Sequence, residues 1–334
     1  MKKKTTPTRN GNNMFVISSL IQKALRRRDR LAYYAANELL PHYRNYMWKR
    51  ILTVSAEDCY DMITHRIMEL HDKDLEVEPS DRHYVAIAVS TLMNARKNRD
   101  ADYIACNILN SRDTKDITKY VSEPQKDDTC ATKNGHCMFD LAICFRKALR
   151  AQDDIMCGYA LNELLVYYRK FSWKMLIQQA QEFKMRDVED EIRALRAADK
   201  IAKEQSTIFF SKALAILLKV IKYGGTDIFL KDFIYNDKID LSVYDHEKIS
   251  VPSYVFDCHT YIGKAKGMTK EQFVQEEQAS LTPHKEGEYD NASWEHFFWL
   301  CKNGFYRDDY TPYPSKERMR DLQEGTVQLN LFGE

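Results

Sequence analysis

Glycine and proline are scarce in this chain, 11 and 8 among 334 residues. That scarcity argues against sandwiches and barrels, whose many turns consume both residues. No run of apolar residues approaches the ~20 needed for a membrane helix. The opening Met1-Lys2-Lys3-Lys4-Thr5-Thr6 lacks the apolar stretch of a secretion signal, so the chain is expected in the cytoplasm, with no membrane partner. Net charge is nearly absent too: 50 basic residues face 49 acidic ones, which excludes a global pull on nucleic acid and leaves only local clusters. None of the eight cysteines stands in a CxxC pair, so reduced thiols are expected rather than a disulfide frame. Cys130, His136, Cys137 and Cys144 lie close together in sequence. Their spacing matches no common zinc finger, and no metal or cofactor is expected.

What the chain has in quantity is helix-forming text, long stretches of Ala, Leu, Lys, Arg, Glu and Gln, and the fold class it implies is all-α. The text also repeats. MFVISSLIQKAL at 14–25 corresponds to MFDLAICFRKAL at 138–149, and YAANELL at 34–40 to YALNELL at 159–165. Tyr43-Arg44 then answers Tyr168-Arg169, and Trp48-Lys49 answers Trp173-Lys174, at an offset of 125. We read an internally duplicated body: a flexible basic segment 1–13, repeats over 14–110 and 138–235, a polar linker 111–137, an irregular extension 236–311 and a mobile tail 312–334. Phe15, Leu20, Ile21, Ala24 and Leu25 form one helical face, and Leu39, Leu40, Tyr43, Met47 and Ile51 another. The repeated aromatics read as core. The repeated Asn37-Glu38 and Asn162-Glu163 read as buried hydrogen-bonding pairs.

Local signals place some boundaries. Ser55-Ala56-Glu57-Asp58 reads as a helix start, Ser80 as the start of a helix through Tyr84, Ile87, Thr91 and Ala95, and Thr269 with Gln272 as a capping box. Residues 184–205 read as a long exposed helix with Met185, Val188, Ile192 and Leu195 on its buried stripe and a Glu189/Arg193 surface pair. Gly224-Gly225 reads as a helix end.

Three groups of residues could carry function. Arg26-Arg27-Arg28 with Arg30, and Arg96-Lys97 with Arg99, are candidate contacts to DNA phosphates; the matching stretch Arg150-Ala151-Gln152-Asp153-Asp154 is not basic. His71-Asp72, with His42, His65 and His83 nearby in sequence, resembles the all-α metal-dependent HD phosphohydrolases and sets an enzymatic alternative. Asp257-Cys258-His259 is a thiol–imidazole pair, but adjacent residues rarely point at one another, so a structural histidine is expected.

Gln328-Leu329-Asn330-Leu331-Phe332 resembles the pentapeptide Q-L-[SD]-L-F that bacterial sliding clamps capture, with Asn330 the one departure. The resemblance implies that Gln328 bonds at the rim of the clamp pocket, Leu329 packs beside it, and Leu331 with Phe332 fills it. Exposed Leu-Phe on a polar tail needs burial by something, either the clamp or the chain's own core. A second resemblance covers about residues 14–109. Ser18-Ser19-Leu20-Ile21-Gln22-Lys23-Ala24-Leu25-Arg26 with Asp29, Tyr33-Tyr34, Arg50-Ile51-Leu52 and Ala95-Arg96-Lys97-Asn98 is similar to the collar-like C-terminal region of replication-associated AAA+ ATPases of the MgsA/RarA type, related to clamp-loader subunits. No G-x-x-x-x-G-K-[ST] is present, so the resemblance implies the collar without the ATPase. The expectation is a non-catalytic replication or repair protein whose partners are the sliding clamp and, through the basic clusters, DNA.

Overall fold

A computed structural model describes residues 7–78, 80–110, 114–124, 132, 134–203, 207–281 and 295–303, and among these the protein is all-α, with no strand. Helix α1 (Met14–Arg27) starts where Asn13 accepts the Phe15 amide, and ends at Arg28, whose left-handed φ of 56° turns the chain. It packs as a hairpin on α2 (Leu31–Glu57), and α3 (Thr64–Leu75), α4 (His83–Asn94) and α5 (Asp100–Ile104, continued by a π-helical turn over Ala105–Leu109) close around them. A second hairpin, α6 (Met138–Arg150) with α7 (Asp154–Glu182), is closed by α8 (Arg186–Ile201) and α9 (Ile208–Tyr223). The remaining described helices are α10 (Tyr261–Ala265), α11 (Lys270–Ala279) and α12 (Glu295–Lys302). No helix among the described residues is long and apolar enough to cross a membrane.

Both long helices bend at a tyrosine with non-helical backbone, Tyr43 in α2 and Tyr168 in α7. Pro41 contributes in α2, because it lacks the N–H that would bind the Asn37 carbonyl, and Arg9 Nε donates to that carbonyl instead at 3.3 Å. In α7 the matching residue is Val166, so proline is not the common cause. Both bends instead precede the same clamp. Arg44 Nε and Trp48 Nε1 each donate at 2.6 Å to Oδ2 of Asp74 on α3. Arg169 Nε and Trp173 Nε1 each donate at 3.1 Å to Oδ2 of Asp199 on α8. Asp74 and Asp199 have no exposed surface, and each fixes the helix after a bend against its neighbour.

The two groups of helices share one continuous apolar core, with α3 packed on α8 and α5 on α9. Polar contacts reinforce the seam. Ile63 offers α3 no side-chain cap, and Glu191 of α8 reaches across to accept the amides of Thr64 and His65, both at 2.9 Å. Lys212 of α9 donates to the carbonyl of Tyr60 at 3.0 Å.

Several boundaries differ from the sequence reading. Ser55-Ala56-Glu57-Asp58 ends α2 rather than starting a helix: Ser55 Oγ lies 2.8 Å from the Leu52 carbonyl behind it and 3.1 Å from Thr64 Oγ1 at the start of α3. The helix expected from Ser80 begins at His83, whose amide bonds to Asp81 Oδ1 at 2.9 Å. Residues 8–13 are held rather than loose, since the Asn10 amide and Asn12 Nδ2 both donate to Glu38 at 3.0 Å. The exposed Glu189–Arg193 pair, the buried Val188, Ile192 and Leu195, the Gly224 helix end and the Thr269/Gln272 capping box stand as expected, whereas Met185, expected on the same stripe, is half-buried and precedes α8.

Asp74→Ala leaves Trp48 and Arg44 facing an empty buried site, and should cost about 3 kcal/mol of unfolding free energy, with Asp199→Ala costing a similar amount. Urea denaturation of both variants checks this; a loss below about 0.5 kcal/mol in either would show that the clamp is not structural.

Candidate functional site

The cations near the end of α1 point inward. Arg26 is 1% exposed, and its Nε donates to Asp58 Oδ1 at 2.8 Å while one terminal nitrogen reaches Glu57 at 3.2 Å. Arg99, at the start of α5, donates to the same Asp58 Oδ1 at 3.0 Å and pairs with Asp102. Glu277, from α11, closes the group by pairing with Arg26 and, at 3.3 Å, with Arg27. Thus α1, the end of α2, α5 and α11 meet on two buried guanidiniums and the carboxylates around them.

A second joint lies one turn back along α1. Lys23 pairs with Asp257 at 2.5 Å and donates to the Val255 carbonyl at 3.0 Å, and Ser19 Oγ donates to the same carbonyl at 2.9 Å. Arg27 covers the ring of Tyr254 at 4.6 Å, and Tyr254 donates its hydroxyl proton to Asp29 at 2.9 Å. The turn that presents Asp257 needs Gly263, because a Cβ there would overlap the Asp257 carbonyl. Farther along, Asp245 receives Arg82 and Asn37, and the Asn236 amide bonds to Ser90 Oγ at 2.7 Å. The first part of the expected extension, residues 236–268, is therefore laid on the helical body and fastened largely by charge.

This geometry corrects the phosphate-contact expectation for most of its residues. Arg26 and Arg99 are buried in ion pairs, and buried Lys97 donates to the Leu92 carbonyl. Arg96 pairs with Asp61 and donates to the Ile228 carbonyl at 2.8 Å, while Arg27 and Arg28 bind Glu277 and the Ala95 carbonyl. Arg30 alone of the group is classed as exposed. The physical reason is that acidic partners arrive from distant sequence. Glu57 and Asp58 read from the sequence as part of a helix start and Asp257 as the neighbour of a thiol–imidazole pair, Asp61 and Glu277 carry no signal, and no local spacing marks any of the five as partners of these cations.

Burial shifts the protons of the group. Glu57 is pushed up to about 7, first by burial and then by the neighbouring Asp58 charge, against the pull of Arg26 and Arg99. The Lys23 ammonium is lowered, because burial outweighs its pairing with Asp257. Lys97 is lowered by burial. The Asp257 carboxyl is held well below its usual range, because His259 and Lys23 overcome the opposing effect of burial.

The histidine groups do other work. Cys258 Sγ lies 3.5 Å from Nδ1 and 3.8 Å from Nε2 of His259, nearly equidistant and so on the lone-pair axis of neither nitrogen. The two adjacent side chains do meet, yet no base is aimed at the thiol. Asp257 and Cys258 beside the half-exposed ring raise His259 above its ordinary value, to about 10. His71 binds its neighbour Asp72 at 2.8 Å and sets its ring edge-on to Trp48, whereas His65 binds Glu191 at 2.7 Å. No group of three or more His, Cys, Asp or Glu among the described residues is placed to hold a metal ion. His136 bonds to the Tyr159 hydroxyl, and the Cys144 thiol is pushed up to about 11, chiefly by burial. Cys130 lies outside the described residues, as do Gln328, Leu329, Leu331 and Phe332. The repeated Asn-Glu pairs differ: Glu38 receives Asn10, Asn12 and Tyr34, whereas Oε2 of buried Glu163 has no hydrogen-bond partner among the described residues.

No family model, no curated protein and no solved structure matches the chain.

Glu57 provides a pH test of the buried group. Its value is near 4.5 when unfolded and about 7 when folded, so the native state keeps a proton that the unfolded state loses across this window, and stability falls as pH rises through it. Glu57→Gln, which cannot ionise, should therefore gain on wild type between pH 5 and pH 8 by an amount on the order of 2 kcal/mol. Denaturant melts at the two pH values measure the difference; one that is constant or shrinks would refute the assignment.

Proposed function

We propose that the chain is a non-catalytic accessory protein of DNA replication or repair that docks on a bacterial-type sliding clamp through Gln328-Leu329-Asn330-Leu331-Phe332. The observation that carries this reading is the pentapeptide itself, placed after a polar stretch and combining a rim-type Gln with an apolar Leu-Phe pair. The collar likeness of residues 14–109 supports the same setting, since collars of that kind work by protein contact rather than by chemistry. The inward use of Arg26, Lys97 and Arg99 favours protein contact as well, because cations bound to buried carboxylates or, for Lys97, to a backbone carbonyl neutralise no phosphate.

In this reading the tail supplies a weak, specific anchor, and the helical body holds a second partner close to the clamp, so that two modest contacts act together. The hydrolase alternative has less support. The His71 and His65 rings are each bound to a carboxylate of a different element, Asp72 on α3 and Glu191 on α8.

Calorimetric titration of the full chain into a purified bacterial sliding clamp tests the proposal. A dissociation constant on the order of micromolar is expected, as is usual when a peptide must be ordered on binding. Leu331→Ala/Phe332→Ala should abolish the heat signal without altering the helical circular dichroism of the body. Absence of binding by the wild-type chain, or binding that survives the double substitution, would overturn the reading.

A further inference from the structure

The matching stretches of α1 and α6 are treated differently by the rest of the chain. At the offset of 124 read from the sequence, Phe15, Ser19, Lys23 and Arg26 answer Phe139, Ile143, Lys147 and Arg150. The ion pair behind the stripe recurs: Arg26 binds Glu57 at 3.2 Å and Arg150 binds Glu182 at 3.3 Å. In front of the stripe the two differ. On α1 the extension covers it, with the Val255 carbonyl on Ser19 and Lys23, Asp257 on Lys23, and Glu277 on Arg26. On α6 the corresponding positions are open, Phe139 56% and Ile143 41% exposed, with Lys147 and Arg150 exposed beyond them.

An exposed stripe that is apolar at one end and basic at the other is costly to leave to solvent, and its chemistry defines what would cover it. Among the described residues Glu182 is the acidic partner of both Arg146 and Arg150, and Lys147 donates to the Tyr120 carbonyl at 2.8 Å, so three cations face one carboxylate there. Two copies of the face set against each other would bring like charges together. The covered face of α1 supplies the template for an occupant: a short segment, a single 3-10 turn over Ser253–Val255, placing an aliphatic residue and, two positions on, an aspartate.

We propose that the outer face of α6 is a docking site for an acidic, aliphatic segment of a partner protein, with Lys147 in the place that Lys23 takes toward Asp257 and apolar Ile143 in the place of Ser19. Ile143 and Phe139 would take the aliphatic side chain and Lys147 the aspartate. The site is independent of the clamp reading, since it shares no residue with the tail.

A fluorescein-labelled synthetic peptide of residues 251–260, carrying Cys258→Ser, serves as the probe, with fluorescence anisotropy against the full chain as the readout. Saturable binding is expected, weakened about tenfold or more by Ile143→Asp and by Lys147→Glu in the protein and by Asp257→Asn in the peptide. Both protein substitutions lie on exposed positions and should leave the thermal melt unchanged. Lys23→Glu in the protein should leave binding intact. No saturable binding at millimolar protein would overturn the proposal. So would binding abolished by Lys23→Glu, which would mean exchange at α1. Concentration-dependent self-association removed by Ile143→Asp would also overturn it, with a second copy of this chain as the occupant.

Discussion

A carboxylate shut off from water cannot stay ionised alone, and Asp58 meets that constraint by receiving two guanidiniums, Arg26 from α1 and Arg99 from α5. Much of the architecture follows from this sharing. Because Arg26 also reaches Glu277, α11 cannot leave without stranding a buried charge, and because Arg99 binds Asp58, the start of α5 is fixed to the end of α2. Each link is conditional on the others. Removing any one partner exposes the remaining charges to the full penalty of burial, which makes the group a specifier of one arrangement more than a source of net stability.

The same logic recurs at smaller scale in the Asp74 and Asp199 clamps. In each, one aspartate takes an indole N–H and a guanidinium from the helix that follows a bend, so the bend is fixed by a side chain on a neighbouring helix. The residues of one clamp stand 125 positions from those of the other, the spacing at which the two halves of the sequence resemble each other. Local propensity does not account for the second bend, since Tyr168 sits in text with no proline, whereas Pro41 stands two residues before Tyr43. Long-range hydrogen bonding overrides that propensity.

Legibility in the sequence divides along the same line. The all-α class, the apolar stripes of α1 and α8, the capping box at Thr269 and the stop at Gly224 were readable because each rests on residues within a few turns of one another. The run Ser55–Asp58 misled, because its polar residues serve the interior and not a helix start: Asp58 receives Arg26 and Arg99, and Ser55 bonds back to Leu52. The basic clusters misled for a related reason. A row of arginines at a helix end has the same sequence whether its partners are phosphates or carboxylates, and here Asp257 and Glu277 arrive from more than two hundred residues away.

The central claim is that the cations of α1 exist to seat the chain's own extension. Hydrogen–deuterium exchange across α11 and residues 253–260 tests it directly, comparing wild type with Glu277→Gln and Arg26→Gln. Loss of either partner should speed exchange in both stretches by about tenfold or more, while α9 keeps its protection. Unchanged exchange in α11 and 253–260 in both variants would contradict the account, because the extension would then be held by something other than the buried charges of α1.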